Sequence, residues 1–83
     1  MATLRSIIFG GEPILHVFHD EEDHGWQFLD GKPAELSNLA FVALEQIVER
    51  DRSVLEIADL PPGWQAWRSS PSAAWERAPA ADE

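Results

Sequence analysis

Residues 13–30, PILHVFHDEEDHGWQFLD, leave the chain little freedom in how it folds. Two apolar-rich runs flank an acidic knot, Asp20-Glu21-Glu22-Asp23-His24-Gly25. The first run, 14–19, is rich in β-branched and aromatic residues. It begins just after Pro13, and proline suits the first position of a strand. In the second run, Trp26 and Phe28 alternate with Gln27 as a strand requires. Between the runs, Asp, Glu and Gly disfavour strand and favour turn, and Gly25 is the natural position for a positive φ. The pattern predicts a β-hairpin with a charged, solvated tip. That tip is longer than the two-residue turns that fix register by themselves. Register must then come from pairing Trp26 and Phe28 with Leu15, Val17 or Phe18, at roughly 0.2–1 kcal/mol per pair.

The rest of the chain reads as additions to this hairpin. Residues 1–5 carry no clear pattern and read as loose, and 6–9 as a short strand or packed extended arm before the Gly10-Gly11 break. Asp30-Gly31-Lys32-Pro33 is turn chemistry. The apolar run 39–44 fits either a buried strand or the start of a helix capped by Asn38. A helix there would be apolar all round for nearly two turns, and two strands alone make a marginal sheet. The reading adopted is a third strand over 39–43 and a helix over 44–50. Ser53-Val54-Leu55-Glu56 has the spacing of a capping box and predicts a second short helix, with Leu55 and Ile57 or Ala58 sealing one edge of the core. Pro61-Pro62-Gly63 ends it. Residues 64–68 read as a short final strand at the sheet edge, with Trp64, Ala66 and Arg68 on one face and Gln65 and Trp67 on the other. Trp75 reads as an anchor that folds back, and 78–83 as a disordered tail.

Composition sets the limits. A chain of 83 residues forms one domain, here 1–77, that buries only about 60 % of its unfolded surface. It has no cysteines, so disulfides and thiolate metal sites are excluded, which fits a cytoplasmic setting. No signal-like or membrane-spanning run appears in the sequence. Six Lys/Arg against fifteen Asp/Glu give a net charge of −9. That balance argues against nucleic-acid and anionic-lipid binding, which need a basic face, and permits steering toward a basic protein. Four tryptophans are large apolar bodies whose N–H groups need partners, so most belong in the core.

Candidate chemistry is sparse. His19, His24 and Asp23 are the weak metal candidates, since only His19 and His24 pair easily across the turn. His16 and His19 point to opposite faces of a strand. The tip lacks the ligand spacing of an EF-hand loop, and no cofactor is expected. Nucleophile elbows, phosphate loops and dinucleotide fingerprints are absent from the sequence, so the chain reads as a non-enzyme. Partner contact falls to Asp20, Glu21, Glu22 and Asp23 in the tip, and to whichever of Trp64 and Trp67 the core leaves exposed.

One pattern carries a resemblance. Asp23-x-Gly25-Trp26-x-Phe28-Leu29-x-Gly31 is followed by an apolar run, a short helix at Ile47, Asp51-x-Ser53-Val54-Leu55 and Gly63-Trp64. This resembles a small bacterial family of unknown function with a D-x-G-W-x-F hairpin motif, whose members are grouped by genomic context with immunity proteins of polymorphic toxin systems. The resemblance implies an α+β domain that acts by binding. The expectation is therefore one α+β domain: an antiparallel sheet of about three or four strands built on the hairpin, with one or two short helices on one face. Its function is expected to be that of a non-catalytic protein-binding module, an immunity-like inhibitor of a basic partner. The alternatives are an acidic mimic of nucleic acid that blocks a basic protein, and a small metal-dependent enzyme.

Overall fold

The computed structural model describes residues 1–22, 24–33 and 35–80. Its strands are β1 (Ala2–Leu4), β2 (His16–His19), β3 (Trp26–Leu29), β4 (Leu39–Phe41), β5 (Trp64–Trp67) and β6 (Glu76–Pro79). The helices are α1 (Arg5–Ile8) and α2 (Leu44–Arg50), with 3-10 turns at Leu36–Asn38 and Arg52–Ile57. The α+β class is as expected. The sheet, however, has six strands rather than three or four, in the order β4-β1-β3-β2-β5-β6, and is mixed because β1 runs parallel to β3.

The hairpin is at the centre of this order. Its register pairs His16 with Leu29, Val17 with Phe28, Phe18 with Gln27 and His19 with Trp26. A backbone bond from Asp20 N–H to the Gly25 carbonyl, 2.7 Å, closes the tip. Among the described residues of the tip, His24 is at positive φ, 58°, and Gly25 is not. Histidine is among the side chains that tolerate the left-handed region.

The apolar run 39–44 divides as expected, into β4 and then α2. The two extra strands come from segments with little local signal. Residues 2–4 are a strand because both neighbours hold them: β1 pairs with β4 on one side and β3 on the other, and Thr3 Oγ1 donates to the Phe28 carbonyl at 2.9 Å. Thr3 and Leu4 are buried, so the expectation of a loose start fails on tertiary grounds. Residues 6–9 were expected to be extended, but 5–8 form one helical turn. A strand would send Ile7 and Ile8 to opposite faces, whereas the turn lets both reach the core. Gly10 closes it: a Cβ there would stand 2.7 Å from the Ser6 carbonyl oxygen. Asn38 does not cap α2. Its side chain bonds Ser6, accepting from the backbone N–H at 3.1 Å and donating to Oγ at 3.0 Å.

At the other end of the sheet, β5 is not the edge. β6 pairs outside it, Trp64 with Pro79 through Trp67 with Glu76. Ala78 and Pro79, read from sequence as tail, therefore belong to a strand. Pro79 cannot donate to a further strand, which blunts this edge.

Val17, Phe28 and Ala66 form one buried row across β2, β3 and β5. α2 and the Arg52–Ile57 turn lie over this side, contributing Ile47, Val54 and Ile57 to the core. The second helix is thus a 3-10 turn, and its cap is Asp51, which accepts from Ser53 N–H at 3.0 Å, rather than Ser53. Leu55, expected to seal the core, is about half exposed.

Candidate functional site

Residues paired across a sheet share a face, so the register sorts the side chains into two sides. The side under α2 holds Val17, His19, Trp26, Phe28, Trp64 and Ala66. The opposite side carries one row that crosses every strand: Phe41, Ala2, Gln27, Phe18, Gln65 and Ala78. His16, Trp67 and Glu76 continue it in the next row. Leu4 is buried at one corner of this face, and Leu29 and Leu39 beside it pack against the core. The remainder is open: Phe18, His16, Gln65 and Trp67 are all partly exposed, and Phe41 is 79 % exposed. His16 Nε2 lies 2.8 Å from Gln65 Oε1, and the His16 ring stacks on Phe18 at 4.4 Å. Imidazole, phenyl and amide are thereby held as one ordered surface beside the Trp67 indole.

One residue further along the chain, the opposite face is built differently. The Arg68 side chain is 1 % exposed, and each of its five N–H groups has an acceptor. Nε and Nη2 donate to the Ile14 carbonyl at 3.0 and 2.8 Å, Nη1 to Ser53 Oγ at 2.7 Å and to the Pro71 carbonyl at 3.1 Å, and Nη2 also to Asp51 Oδ2. The Trp75 ring covers the guanidinium at 4.1 Å, and its Nε1–H donates to the Ser53 carbonyl at 3.2 Å. Burial pushes the Asp51 carboxyl up, but hydrogen bonds from Ser53 and Arg68 pull it down further, leaving it below the ordinary carboxylate range. Sequence alternation placed Arg68 beside Trp64 and Ala66; its role as a buried clasp went unread. Arg77 ties β6 to the same layer, donating to Asp59 at 2.8 Å and to the Glu56 carbonyl at 2.9 Å.

The residues singled out from sequence are dispersed over this frame. Trp64 packs against the core and Trp67 does not. The acidic tip lies at the Trp64 end of β5, where Gly63 N–H donates to the His19 carbonyl at 2.7 Å and Glu21 lies against Gly63. Trp67 is at the far end of β5, paired with His16. The tip and Trp67 therefore lie at opposite ends of β5, although Asp20 shares a hollow with Ala2, Gln27 and Phe41 on the open face. Glu21 and Glu22 are exposed, Asp20 is half-buried, and Asp23 lies outside the described residues.

His16 and His19 do lie on opposite faces. The His19 and His24 rings are 6.4 Å apart, edge to face. His19 Nδ1 lies 2.7 Å from the Leu60 carbonyl, so that nitrogen carries the proton, because a carbonyl only accepts. The His19 ring stacks on Trp26 at 4.0 Å. Among the described residues, no three His, Cys, Asp or Glu side chains converge as metal ligands.

A small apolar groove of about 170 Å³ lies between α2 and the Arg52–Ile57 turn, floored by Trp26 and Phe28. Sequence reasoning missed that Phe41, Phe18, Gln27 and Gln65 share a sheet face with Trp67. Parity along each strand would have found them once the register was known. Among the described residues, no helix is long and apolar enough to cross a membrane. No known family model, curated protein or solved structure matches this chain.

Proposed function

We propose that this chain is a non-catalytic protein-binding module, an inhibitor of the immunity type, whose contact surface is the open sheet face centred on Trp67. The observation that carries the reading is the position of Trp67: a large indole outside the core, on the face the helices leave bare, beside Phe18 and His16. Tryptophan is enriched among interface hot spots, and a half-buried one outside the core suits that role. The D-x-G-W-x-F hairpin pattern supports action by binding. The acidic balance suits a basic protein partner, steered by charge outside the contact itself. The absence of cysteine suits the cytoplasm.

The test is capture from native cell extract on the immobilised chain, with three baits: wild type, Trp67→Ala, and a tip variant carrying Asp20→Asn, Glu21→Gln, Glu22→Gln and Asp23→Asn. Trp67→Ala is expected to lose the proteins that the wild type retains, while the tip variant keeps them with slower association. Recovery of the same proteins by Trp67→Ala overturns the reading.

A further inference from the structure

On the side of the sheet turned away from Trp67, α2 and the Arg52–Ile57 turn leave the strands beneath them incompletely covered. The groove between them has Trp26 and Phe28 as its floor, Leu44 and Val48 on one bank and Leu55 and Ala58 on the other. None of these carries a charge, and Leu44 and Leu55 remain 45 % and 52 % exposed. A second hollow continues from the groove over α2: Leu44 and Val48 line both, and Glu45 and Glu49 line the second. Both carboxylates are exposed and, among the described residues, neither is in an ion pair. Of the cations on these elements and on β6, Arg50 donates to the Ile8 carbonyl, Arg77 donates to Asp59, and Arg52 lines neither hollow. We infer that this groove docks a short basic amphipathic helix of another protein, with one apolar side chain between α2 and the turn and Lys or Arg side chains at Glu45 and Glu49. The contact is separate from the open face and does not rest on it.

Size, charge and backbone choose this occupant. Pockets for small molecules run to about 300–1,000 Å³, whereas this groove, at about 170 Å³, has room for a single side chain. An apolar slot continuous with two unpaired carboxylates is complementary to a leucine or phenylalanine flanked by cations. Glu45 and Glu49 stand four residues apart on α2, where like charges repel, and a docked cation relieves that repulsion. The banks are an α-helix and a 3-10 turn, so they offer no strand edge for an extended peptide to pair with. A helix satisfies its own backbone and needs only a groove for its apolar face. A contact of this size is weak, with a dissociation constant of about 0.1 mM, and does not hold a protein through washing on its own. The capture experiment therefore reads the open face and not the groove.

The probe is an acetylated, amidated peptide of about 15 residues, long enough to form a helix, with leucine at every third or fourth position and lysine elsewhere. It is titrated into the nitrogen-15-labelled full chain, and the tryptophan indole N–H signals are followed by NMR. Trp26 and Trp67 are assigned by the signals lost in Trp26→Phe and Trp67→Ala. We expect the Trp26 signal to move while that of Trp67, on the other face, stays in place. Binding should loosen as NaCl rises, because screening weakens the attraction. Glu45→Lys with Glu49→Lys is expected to raise the dissociation constant about tenfold or more. Ala58→Leu, at an exposed position, fills the slot and is expected to do the same while the rest of the spectrum keeps its dispersion. A peptide with glutamate in place of lysine should not bind. The inference is overturned by a Trp26 signal that stays still up to about 1 mM peptide, by equal binding of the glutamate peptide, or by unchanged binding to a folded Ala58→Leu chain. Movement of the Trp67 signal in place of Trp26 also overturns it and leaves the open face as the contact surface. Groove binding together with a Trp67→Ala bait that still captures the wild-type proteins supports the groove and removes the open face.

Discussion

Trp67 and Arg68 are neighbours in sequence and opposites in use. Arg68 turns to the helix side, where all five of its donors are satisfied and Trp75 closes over it. Trp67 turns to the open side, outside the core. A buried charge is costly unless every group around it is paired, and it becomes costlier still when one partner is removed. A half-buried indole outside the core has less to lose within its own fold. Substitutions on the two faces should therefore separate stability from association.

The largest expected effect is on the Arg68 side. Arg68→Ala leaves Asp51, Ser53 and two carbonyls without their donor and should cost about 3–5 kcal/mol, much of the stability a domain this small holds. Urea unfolding monitored by tryptophan fluorescence reads this. A loss under about 1 kcal/mol would show that the clasp is no stronger than a surface ion pair. Asp51→Asn comes next, at about 1.5–3 kcal/mol, because Arg68 keeps its carbonyl acceptors but loses its counter-charge. The same carboxylate makes stability depend on pH. Its pKa lies below the 3.8 of the free group, so its contribution is complete above about pH 4 and declines as pH falls through the lowered value. Unfolding curves between pH 5 and 2 should show that decline in the wild type and a shallower one in Asp51→Asn.

Effects on the other face should be smaller. Trp67→Ala is expected to change stability by less than about 1 kcal/mol while removing association. A larger loss would assign Trp67 to the core and erase the contrast between the faces. Smallest of all, Glu21→Gln with Glu22→Gln should stay within about 0.5 kcal/mol in the unfolding experiment, as exposed substitutions away from special contacts do.

How far the sequence foretold this molecule follows from how local each signal is. The hairpin was legible because β-branched and aromatic runs, a proline and an acidic turn all act within eighteen residues. The division of 39–50 into β4 and α2 was legible from the length of its apolar run. β1 and β6 were not, because Ala2-Thr3-Leu4 and Glu76-Arg77-Ala78-Pro79 have weak propensity of their own and become strands only against an existing neighbour. The one-turn helix at 5–8 was hidden for a related reason: whether Ile7 and Ile8 share a core is a tertiary matter. At the candidate site, the opposition of Trp64 and Trp67 came from alternation alone. That Trp67 shares a face with Phe18, Gln27 and Phe41 needed the register, which no local signal supplies. Alternation put Arg68 on the face of Trp64 and Ala66, but nothing in WQAWRSS announces the four acceptors gathered from residues 14, 51, 53 and 71.

The most direct test of the division between the faces is to take one variant, Trp67→Ala, and measure capture from native extract and urea unfolding on the same samples beside the wild type. The account requires a folded chain, within about 1 kcal/mol of wild-type stability, that no longer retains the proteins the wild type captures. A Trp67→Ala chain that unfolds as readily as Arg68→Ala, or that retains the same proteins as the wild type, would contradict it.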